Sequence, residues 1–249
     1  DKEQIICYNG TTMYDKARAV CRLVIGGSGL CTGWLLGCDG HVMTNNHCIG
    51  STADANNTDF VFNYETTNCA GTNNAAQQTV ASSSTLIKTN GSLDYTLVQL
   101  PVNPTATYGY LSLSSVAPIV NDRIYIPQHP GGRRKEIAVV TDQGGNASGF
   151  AQVNTITGTG CRYFADTEGG SSGSPVINFN TNLVIAIHNT GGCTNGSYGR
   201  SDQLIAAIGT DMPNCAIDSS GSVATPCTNT VNTFPYAESF DNTFGLWSN

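Results

Sequence analysis

The chain contains the run Thr167-Glu168-Gly169-Gly170-Ser171-Ser172-Gly173-Ser174-Pro175, in which serines and glycines crowd together ahead of a proline. Glycine has no Cβ, so it can adopt positive φ and let the backbone approach a ligand, with its N–H group free to donate a hydrogen bond. We therefore predict a tight loop that presents Ser172 as a nucleophile, with backbone N–H groups available for an oxyanion hole. The competing interpretation is an ordinary Gly/Ser turn between two strands, so other segments have to decide.

Two further segments supply the groups that an activated serine needs. A serine hydroxyl is a poor nucleophile unless a base takes its proton and a third group orients that base. His47 is the candidate base, because it follows the strand-like residues 42–44 and precedes Cys48, which could clamp its loop. Asp94 is the candidate orienting carboxylate, because it precedes the strand-like run 95–100, whose alternate residues can share one face.

The segments Thr-Asn-Asn-His47-Cys, Leu-Asp94-Tyr-Thr-Leu and Gly-Ser-Ser172-Gly-Ser-Pro, in that order, resemble the catalytic segments of chymotrypsin-fold serine proteases. The order His, Asp, Ser differs from that of subtilisin-like and α/β-hydrolase enzymes. The third segment is closer to bacterial lysyl and glutamyl endopeptidases than to animal trypsins, which carry Gly-Asp-Ser-Gly-Gly-Pro. The resemblance extends from about Cys7 to about Ile208. It implies an oxyanion hole made by the N–H groups of Gly170 and Ser172.

The resemblance also implies a fold and a domain organisation. We expect an all-β fold of two antiparallel six-stranded barrels with the active site between them and a short C-terminal helix. The predicted protease domain covers residues 1–217. Within it we place barrel one at about 15–105, barrel two at about 111–200 and the closing helix at about 202–210. A Ser/Thr-rich linker follows over 218–233, and residues 234–249 are the possible start of a truncated MAM-like domain.

Composition limits the class of protein. A chain of 249 residues with 39% hydrophobic residues can bury a sizeable core. Ten cysteines beside only 12% charged residues indicate disulfides and an oxidising, extracellular destination. There is no Cys-x-x-Cys pair and no paired-histidine motif, so we predict no metal site. The acidic start Asp1–Gln4 is unlike a signal peptide, and we expect a mature secreted form whose leader has been removed.

The expected partners are protein or peptide substrates, and hydrolysis through a serine needs no cofactor. A net charge of −7 argues against nucleic acid, whose phosphates it would repel. No apolar run approaches the roughly 20 residues that a membrane span needs. We expect a monomer. The one basic run, Arg133-Arg134-Lys135, is followed by Glu136 and is interpreted as a solvated turn.

Similarity to the lysyl endopeptidases implies two disulfides, Cys31–Cys48 and Cys7–Cys69. For the other six cysteines we make working assignments that neither the resemblance nor the sequence secures: Cys21–Cys38 across a hairpin, Cys161–Cys193 near the active site, and Cys215–Cys227 at the end. His41 and His129 occur in turn-like Gly/Pro contexts without partner motifs. We interpret both as structural histidines.

The residues expected to bind substrate follow from the same resemblance. His188 is a feature shared by lysyl and glutamyl enzymes, whereas Thr167, with Glu168, matches the lysyl enzymes. Asn189 to Gly191 would pair with the substrate as an added strand. Asp202, within Arg-Ser-Asp-Gln, matches the lysyl enzymes' pocket aspartate and favours a basic P1 residue. The alternative is that Asp202 is a surface residue paired with Arg200.

The predicted order of cleavage is after Lys first, Arg second and Glu third. The lysyl enzymes carry a tryptophan beside the active site, whereas residues 144–147 contain none, which would relax selectivity for Lys over Arg. A catalytically silent binding homologue is the rival from another functional class. Ser171 stands where trypsins have the acid that pairs with a newly formed N-terminus, so that activation switch is missing.

Overall fold

The structure is a computed structural model that describes residues 2–191 and 195–218. These residues form a mostly β fold with a few short helices, as the sequence predicts. The strands are β1 (Lys2–Gln4), β2 (Val20–Ile25), β3 (Gly29–Leu36), β4 (His41–Thr44), β5 (Thr58–Phe62), β6 (Gln78–Ala81), β7 (Thr85–Asn90), β8 (Tyr95–Gln99), β9 (Ile124–Gln128), β10 (Glu136–Ala138), β11 (Gln152–Thr157), β12 (Gly160–Phe164), β13 (Pro175–Asn178), β14 (Val184–Ile187), β15 (Gly196–Ser197) and β16 (Gly199–Arg200). The helices are α1 (Thr12–Ala17), α2 (Thr52–Ala55), α3 (Thr105–Tyr108) and α4 (Ser201–Ile208).

The strands form two halves. The first half is a seven-stranded antiparallel sheet in the order β6-β5-β2-β3-β4-β8-β7. The second half comprises a six-stranded sheet, β1-β10-β9-β13-β14-β16, and a three-stranded sheet, β11-β12-β15. The strand count therefore departs from six in each half. In the second half, β1 is a polar three-residue strand that is recognisable only by its pairing with β10.

The two halves share one core. Its largest cluster includes Trp34 and Leu97 from the first sheet and Ile177 and Val184 from the second half. Leu204 and Ile208 of α4, four residues apart on one helix face, pack into the same cluster. A smaller core lies within the second half. Among the described residues, no helix combines the length and apolar character that crossing a bilayer requires.

Three disulfides join the described residues: Cys7–Cys69, Cys31–Cys48 and Cys38–Cys215. The first two confirm the pairings implied by the resemblance. The pairings Cys21–Cys38 and Cys215–Cys227 are wrong, because Cys38 bonds to Cys215. Cys21 lies opposite Gly33 in the β2–β3 ladder, which leaves it five residues out of register with Cys38.

Two of the cysteines within residues 2–191 and 195–218 are free thiols. Cys21 is fully buried in β2, and Cys161 is fully buried in β12. Cys193, the predicted partner of Cys161, lies outside the described residues. The same holds for Cys227, for residues 219–233 of the expected linker, and for the expected MAM-like segment at 234–249.

The basic run at 133–135 differs from the expected solvated turn. The side chain of Lys135 is 1% exposed, and its Nζ lies 3.8 Å from Oε2 of Glu65. Burial lowers the pKa of Lys135, because removing an ammonium from water penalises its charged form. Arg133 is half exposed but forms ion pairs with Glu136 and Glu168. The turn is therefore an anchored part of the second half.

Candidate active site

His47 and Asp94 meet at one edge of the first sheet. β4 ends at Thr44 and β8 begins at Tyr95, and the two strands are antiparallel with Thr44 opposite Thr96. The residue before β8 therefore lies beside the loop after β4. Nδ1 of His47 is 2.7 Å from Oδ2 of Asp94, and the His47 N–H donates to Oδ1 at 3.0 Å.

This contact sets the protonation of the imidazole. A carboxylate can only accept, so Nδ1 carries the hydrogen and Nε2 is left as the acceptor that a serine hydroxyl requires. Burial alone would raise the pKa of Asp94, but hydrogen bonds from the His47 ring and backbone outweigh burial and lower it. The buried Asn189 amide also faces Asp94 and contributes to this lowering, although its nitrogen makes no hydrogen bond to the described residues.

The backbone of Asp94 is held in an uncommon conformation. Its φ is +52°, in the left-handed region that aspartate tolerates better than most residues. Two asparagines secure this turn. Asn45 Nδ2 donates to the Asp94 carbonyl at 2.7 Å, and Asn90 Oδ1 accepts from the Leu93 N–H at 2.9 Å.

A short series of contacts brings Ser172 to the same edge. The Ser172 carbonyl accepts a hydrogen bond of 2.8 Å from the N–H of Thr32 in β3. Thr32 follows Cys31, whose disulfide partner Cys48 is the neighbour of His47. Ser172 is partly exposed. The main chain of Ser172 thus lies beside Cys48, the neighbour of the predicted base, and the nucleophilic role of its hydroxyl stays a prediction.

We call residues 167–174 the nucleophile loop. Gly170 and Gly173 have φ values of +89° and +90°, and a Cβ at either position would collide with neighbouring backbone. Within the described residues, the N–H groups of Gly170 and Ser172 have no hydrogen-bond acceptor. They are therefore available to bind a developing oxyanion.

Ser171 makes a neutral contact where trypsins have an ion pair. Its Oγ donates to Oε1 of Gln128 at 2.5 Å, and Gln128 Nε2 donates to the carbonyl of Asp166 at 2.8 Å. Both side chains are fully buried. Sequence analysis missed Gln128, although a glutamine in the apolar strand 124–128 signals a buried polar partner.

His188 follows β14 and is fixed in one tautomer. Its Nδ1 is 2.6 Å from the hydroxyl of Tyr163, which is 3.0 Å from the carbonyl of Gly196. The carbonyl can only accept, so the hydroxyl donates to it and accepts from His188. Nε2 is thereby left with a lone pair. Burial and the nearby His47 lower the pKa of His188 to about 3, which keeps it neutral.

Thr167 and Gly191 are close in space, and Asn195, which was not predicted as a site residue, forms a hydrogen bond with Thr167. Thr167 Oγ1 donates to Oδ1 of Asn195 at 2.7 Å, and a Cβ at Gly191 would lie 3.2 Å from Thr167 Oγ1. Asn195 is buried and donates to the carbonyl of Ala165. The N–H groups of Asn189 and Thr190 both donate to the carbonyl of Gly196. Pairing of substrate with residues 189–191 stays a prediction.

Asp202 pairs with Arg200, which is the contact that the alternative interpretation of this residue predicts. Its two oxygens each accept from Arg200 at 3.0 Å, and Oδ2 also accepts from Gln203 at 2.8 Å. Burial raises the pKa of Asp202, but the hydrogen bonds from Arg200 and Gln203 outweigh it and lower the pKa. The carboxylate is one-quarter exposed, so it stays accessible while its charge is partly neutralised.

The other histidines occupy structural positions. His129 is fully buried, its Nδ1 lies 2.9 Å from the carbonyl of Arg133, and its ring stacks on Tyr64. His41 lies at the opposite end of β4 from His47. In the part of the chain that the structure describes, one group of potential metal ligands, Cys31, Cys48 and His47, has ligand atoms within 4.8 Å of one another. Its two cysteines are joined in a disulfide and cannot serve as thiolate ligands.

Solved structures with the same fold are proteases. A Glu endopeptidase structure shares 20% identity with a TM-score of 0.58 over 83% of this chain and 94% of that chain. The Rv3671c protease from M. tuberculosis, in its active form, shares 16% identity with a TM-score of 0.57 over 86% and 92% of the two chains. At these identities the likeness shows the fold alone, which is that of the trypsin-like serine proteases.

The family is shown by sequence. Residues 2–203 match the family described as lysyl endopeptidase, C-terminal domain, and the chain belongs to that family. A curated relative, Secreted RxLR effector protein 73 of Plasmopara viticola, is 44% identical over 202 residues. That match covers 76% of this chain and 49% of the relative, so the chain spans about half the relative's length.

Proposed function

We propose that this chain is a secreted serine endopeptidase that cleaves after Lys and, second, after Arg. The observation that carries the catalytic part is the short His47–Asp94 contact beside a loop that presents Ser172 and two unpaired N–H groups. The three disulfides of the described residues support secretion, and so does the similarity to a relative named as a secreted effector.

The chemistry follows from the hydrogen-bonding roles. Ser172 Oγ attacks the carbonyl carbon of the scissile peptide while Nε2 of His47 takes the hydroxyl proton. The N–H groups of Gly170 and Ser172 bind the resulting oxyanion. His47 then returns the proton to the leaving amine, which leaves an acyl-enzyme on Ser172. Water then attacks the ester carbon while His47 takes its proton, the bond to Ser172 Oγ breaks, and His47 returns the proton to Oγ, which releases the carboxylic acid product and restores the serine.

The tautomer of His188 favours a basic over an acidic P1 residue. An ammonium can donate a hydrogen bond to the lone pair on Nε2, whereas a carboxylate would meet that lone pair as a second acceptor. Binding a substrate with Glu at P1 would require His188 to be protonated, and burial opposes the positive charge of the protonated imidazole. Asp202 adds negative charge on the strand and helix that follow β14, although Arg200 offsets part of it.

The test of specificity uses matched peptides with Lys, Arg or Glu at P1. We expect kcat/KM to decrease in that order, and Asp202→Asn to lower it for Lys and Arg by about tenfold, as loss of a charge-assisted contact does. Ser172→Ala should abolish hydrolysis of all three with the fold retained. Preferred cleavage after Glu would instead support the glutamyl-type alternative, because the serine loop and His188 are features that both kinds of enzyme share.

A catalytically silent binding role is the second candidate, and the word effector in the relative's name is what favours it. Covalent labelling with a fluorophosphonate separates the two functions. An endopeptidase is labelled at Ser172, and the labelling is lost in His47→Ala. A folded wild-type chain that resists labelling would support the binding role.

A further inference from the structure

The peptide group between Gly169 and Gly170 determines whether the oxyanion hole exists. A peptide unit is planar and trans, so its N–H points away from its own carbonyl. The Gly169 carbonyl accepts a hydrogen bond of 2.5 Å from the N–H of Gly131. This bond fixes the direction of the Gly170 N–H. Rotation of the same peptide by half a turn would replace the donor in the oxyanion hole with a carbonyl.

The donor of that bond sits in a turn that is tied to the nucleophile loop by side chains. Gly131 belongs to the turn 130–132, and Arg133 follows it. Arg133 reaches Glu168 with both terminal nitrogens, at 2.6 Å and 3.2 Å. Glu168 immediately precedes Gly169. The Arg133–Glu168 ion pair therefore links the turn that carries the donor, Gly131, to the residue that precedes the acceptor, Gly169.

Both partners of the ion pair are anchored. Arg133 Nε also donates to Oε1 of Glu136 in β10 at 3.2 Å. Nζ of Lys2 in β1 lies 3.5 Å from Oε1 of Glu168. The main chain of Glu168 exchanges hydrogen bonds with Ser171, since the Glu168 N–H donates to Ser171 Oγ and the Ser171 N–H donates to the Glu168 carbonyl. Movement of Glu168 would therefore be transmitted to the loop that carries Ser172.

We propose that Arg133 and Glu168 are positioning residues that hold the Gly170 N–H in the oxyanion hole. This inference rests on the proposed endopeptidase function and adds residues outside the His47–Asp94–Ser172 group. The proposal gives Arg133, which the sequence alone predicts to lie in a solvated turn, a role in positioning the nucleophile loop. The side chains of Arg133 and Glu168 are 49% and 40% exposed, so their removal does not open the core.

The test measures kcat and KM separately for Arg133→Ala, Glu168→Ala and the double variant with a Lys P1 peptide. Each single variant should lose about tenfold in kcat, less than the loss of an oxyanion donor itself, with KM changed by less than about twofold. The double variant should lose no more than either single variant, because both remove the same contact. The affinity for a peptide aldehyde, which forms a tetrahedral adduct, should fall in parallel with kcat.

Two controls distinguish positioning from general stabilisation. Asp211→Asn breaks the Lys88–Asp211 pair, whose 2.8 Å separation and exposure are comparable, and should leave kcat unchanged. Arg133→Lys keeps the positive charge that faces Glu168 and should retain more of the kcat than Arg133→Ala does. Thermal melting checks that all variants are folded.

The outcomes separate the two proposals. An active wild type whose Arg133 and Glu168 variants keep kcat within about twofold overturns the positioning role and leaves the proposed function intact. A wild type that neither hydrolyses peptides nor reacts with a fluorophosphonate overturns the proposed function and the positioning role with it.

Discussion

Asp94 binds His47 twice, through the ring nitrogen at 2.7 Å and through the main-chain N–H at 3.0 Å. The second bond fixes the backbone that carries the imidazole, while the first fixes the ring. A substitution at residue 94 therefore affects both the tautomer and the placement of the proposed base.

We predict that Asp94→Asn lowers kcat by about four orders of magnitude, because an amide stabilises the wrong imidazole tautomer. The measurement is steady-state hydrolysis of a Lys P1 peptide with circular dichroism as a check of folding. Asp59→Asn, in β5, is the matched control and should retain wild-type rates. Near-normal turnover in the Asp94 variant would remove Asp94 from the mechanism.

We predict that His188 makes stability depend on pH between its ordinary pKa and the lowered value of about 3. In that window the unfolded chain binds a proton that the folded chain does not, so the free energy of unfolding falls as pH falls. The slope from this one group approaches about 1.4 kcal/mol per pH unit. Denaturant unfolding of wild type and His188→Gln at several pH values measures it. Equal slopes in the two proteins would show that His188 titrates normally.

We predict that a disulfide-mapped digest contains a crosslinked pair of peptides with Cys38 and Cys215. Replacing both with serine should lower the free energy of unfolding by about 2–5 kcal/mol, because the bond closes a loop of 177 residues in the unfolded chain. Cys21→Ala is the comparison, since it removes a thiol without a crosslink. A peptide joining Cys21 to Cys38 would contradict the structure.

We predict different costs for alanine at two glycines that both have positive φ. Gly27 has a φ of +77° and open space around it, so Gly27→Ala should cost about 1 kcal/mol from backbone strain alone. At Gly173 a Cβ would collide with the Thr32 carbonyl and Thr44 Oγ1, so Gly173→Ala should abolish activity and lower Tm much further. Equal effects of the two substitutions would show that the nucleophile loop has room to adjust.

The parts of the candidate site that were predictable are those in which a short motif flanks a regularly paired strand. His47 lies in the short loop after β4 and Asp94 directly precedes β8, so the antiparallel pairing of these strands brings the two residues to the same edge. The partner of Gln128 was not predictable, because Ser171 lies 43 residues away and the two residues belong to no recognisable motif. The wrong pairing of Cys38 has the same origin, since its partner is 177 residues distant.

Charged residues were the least predictable. The sequence does not show that Lys135 is buried while Arg133, two positions earlier, is half exposed. It also does not show whether Asp202 is free or is paired with Arg200. Solvation and ion pairing depend on the elements packed around each side chain, which local sequence does not describe.

The Cys38–Cys215 bond has a consequence for the integrity of the chain. It joins the first half to residues that follow the second half, and the segment 101–123 between the halves lies inside the loop it closes. A single cut in that segment would leave both fragments covalently attached. A nicked molecule would keep its mass on a nonreducing gel and would separate into two bands only after reduction.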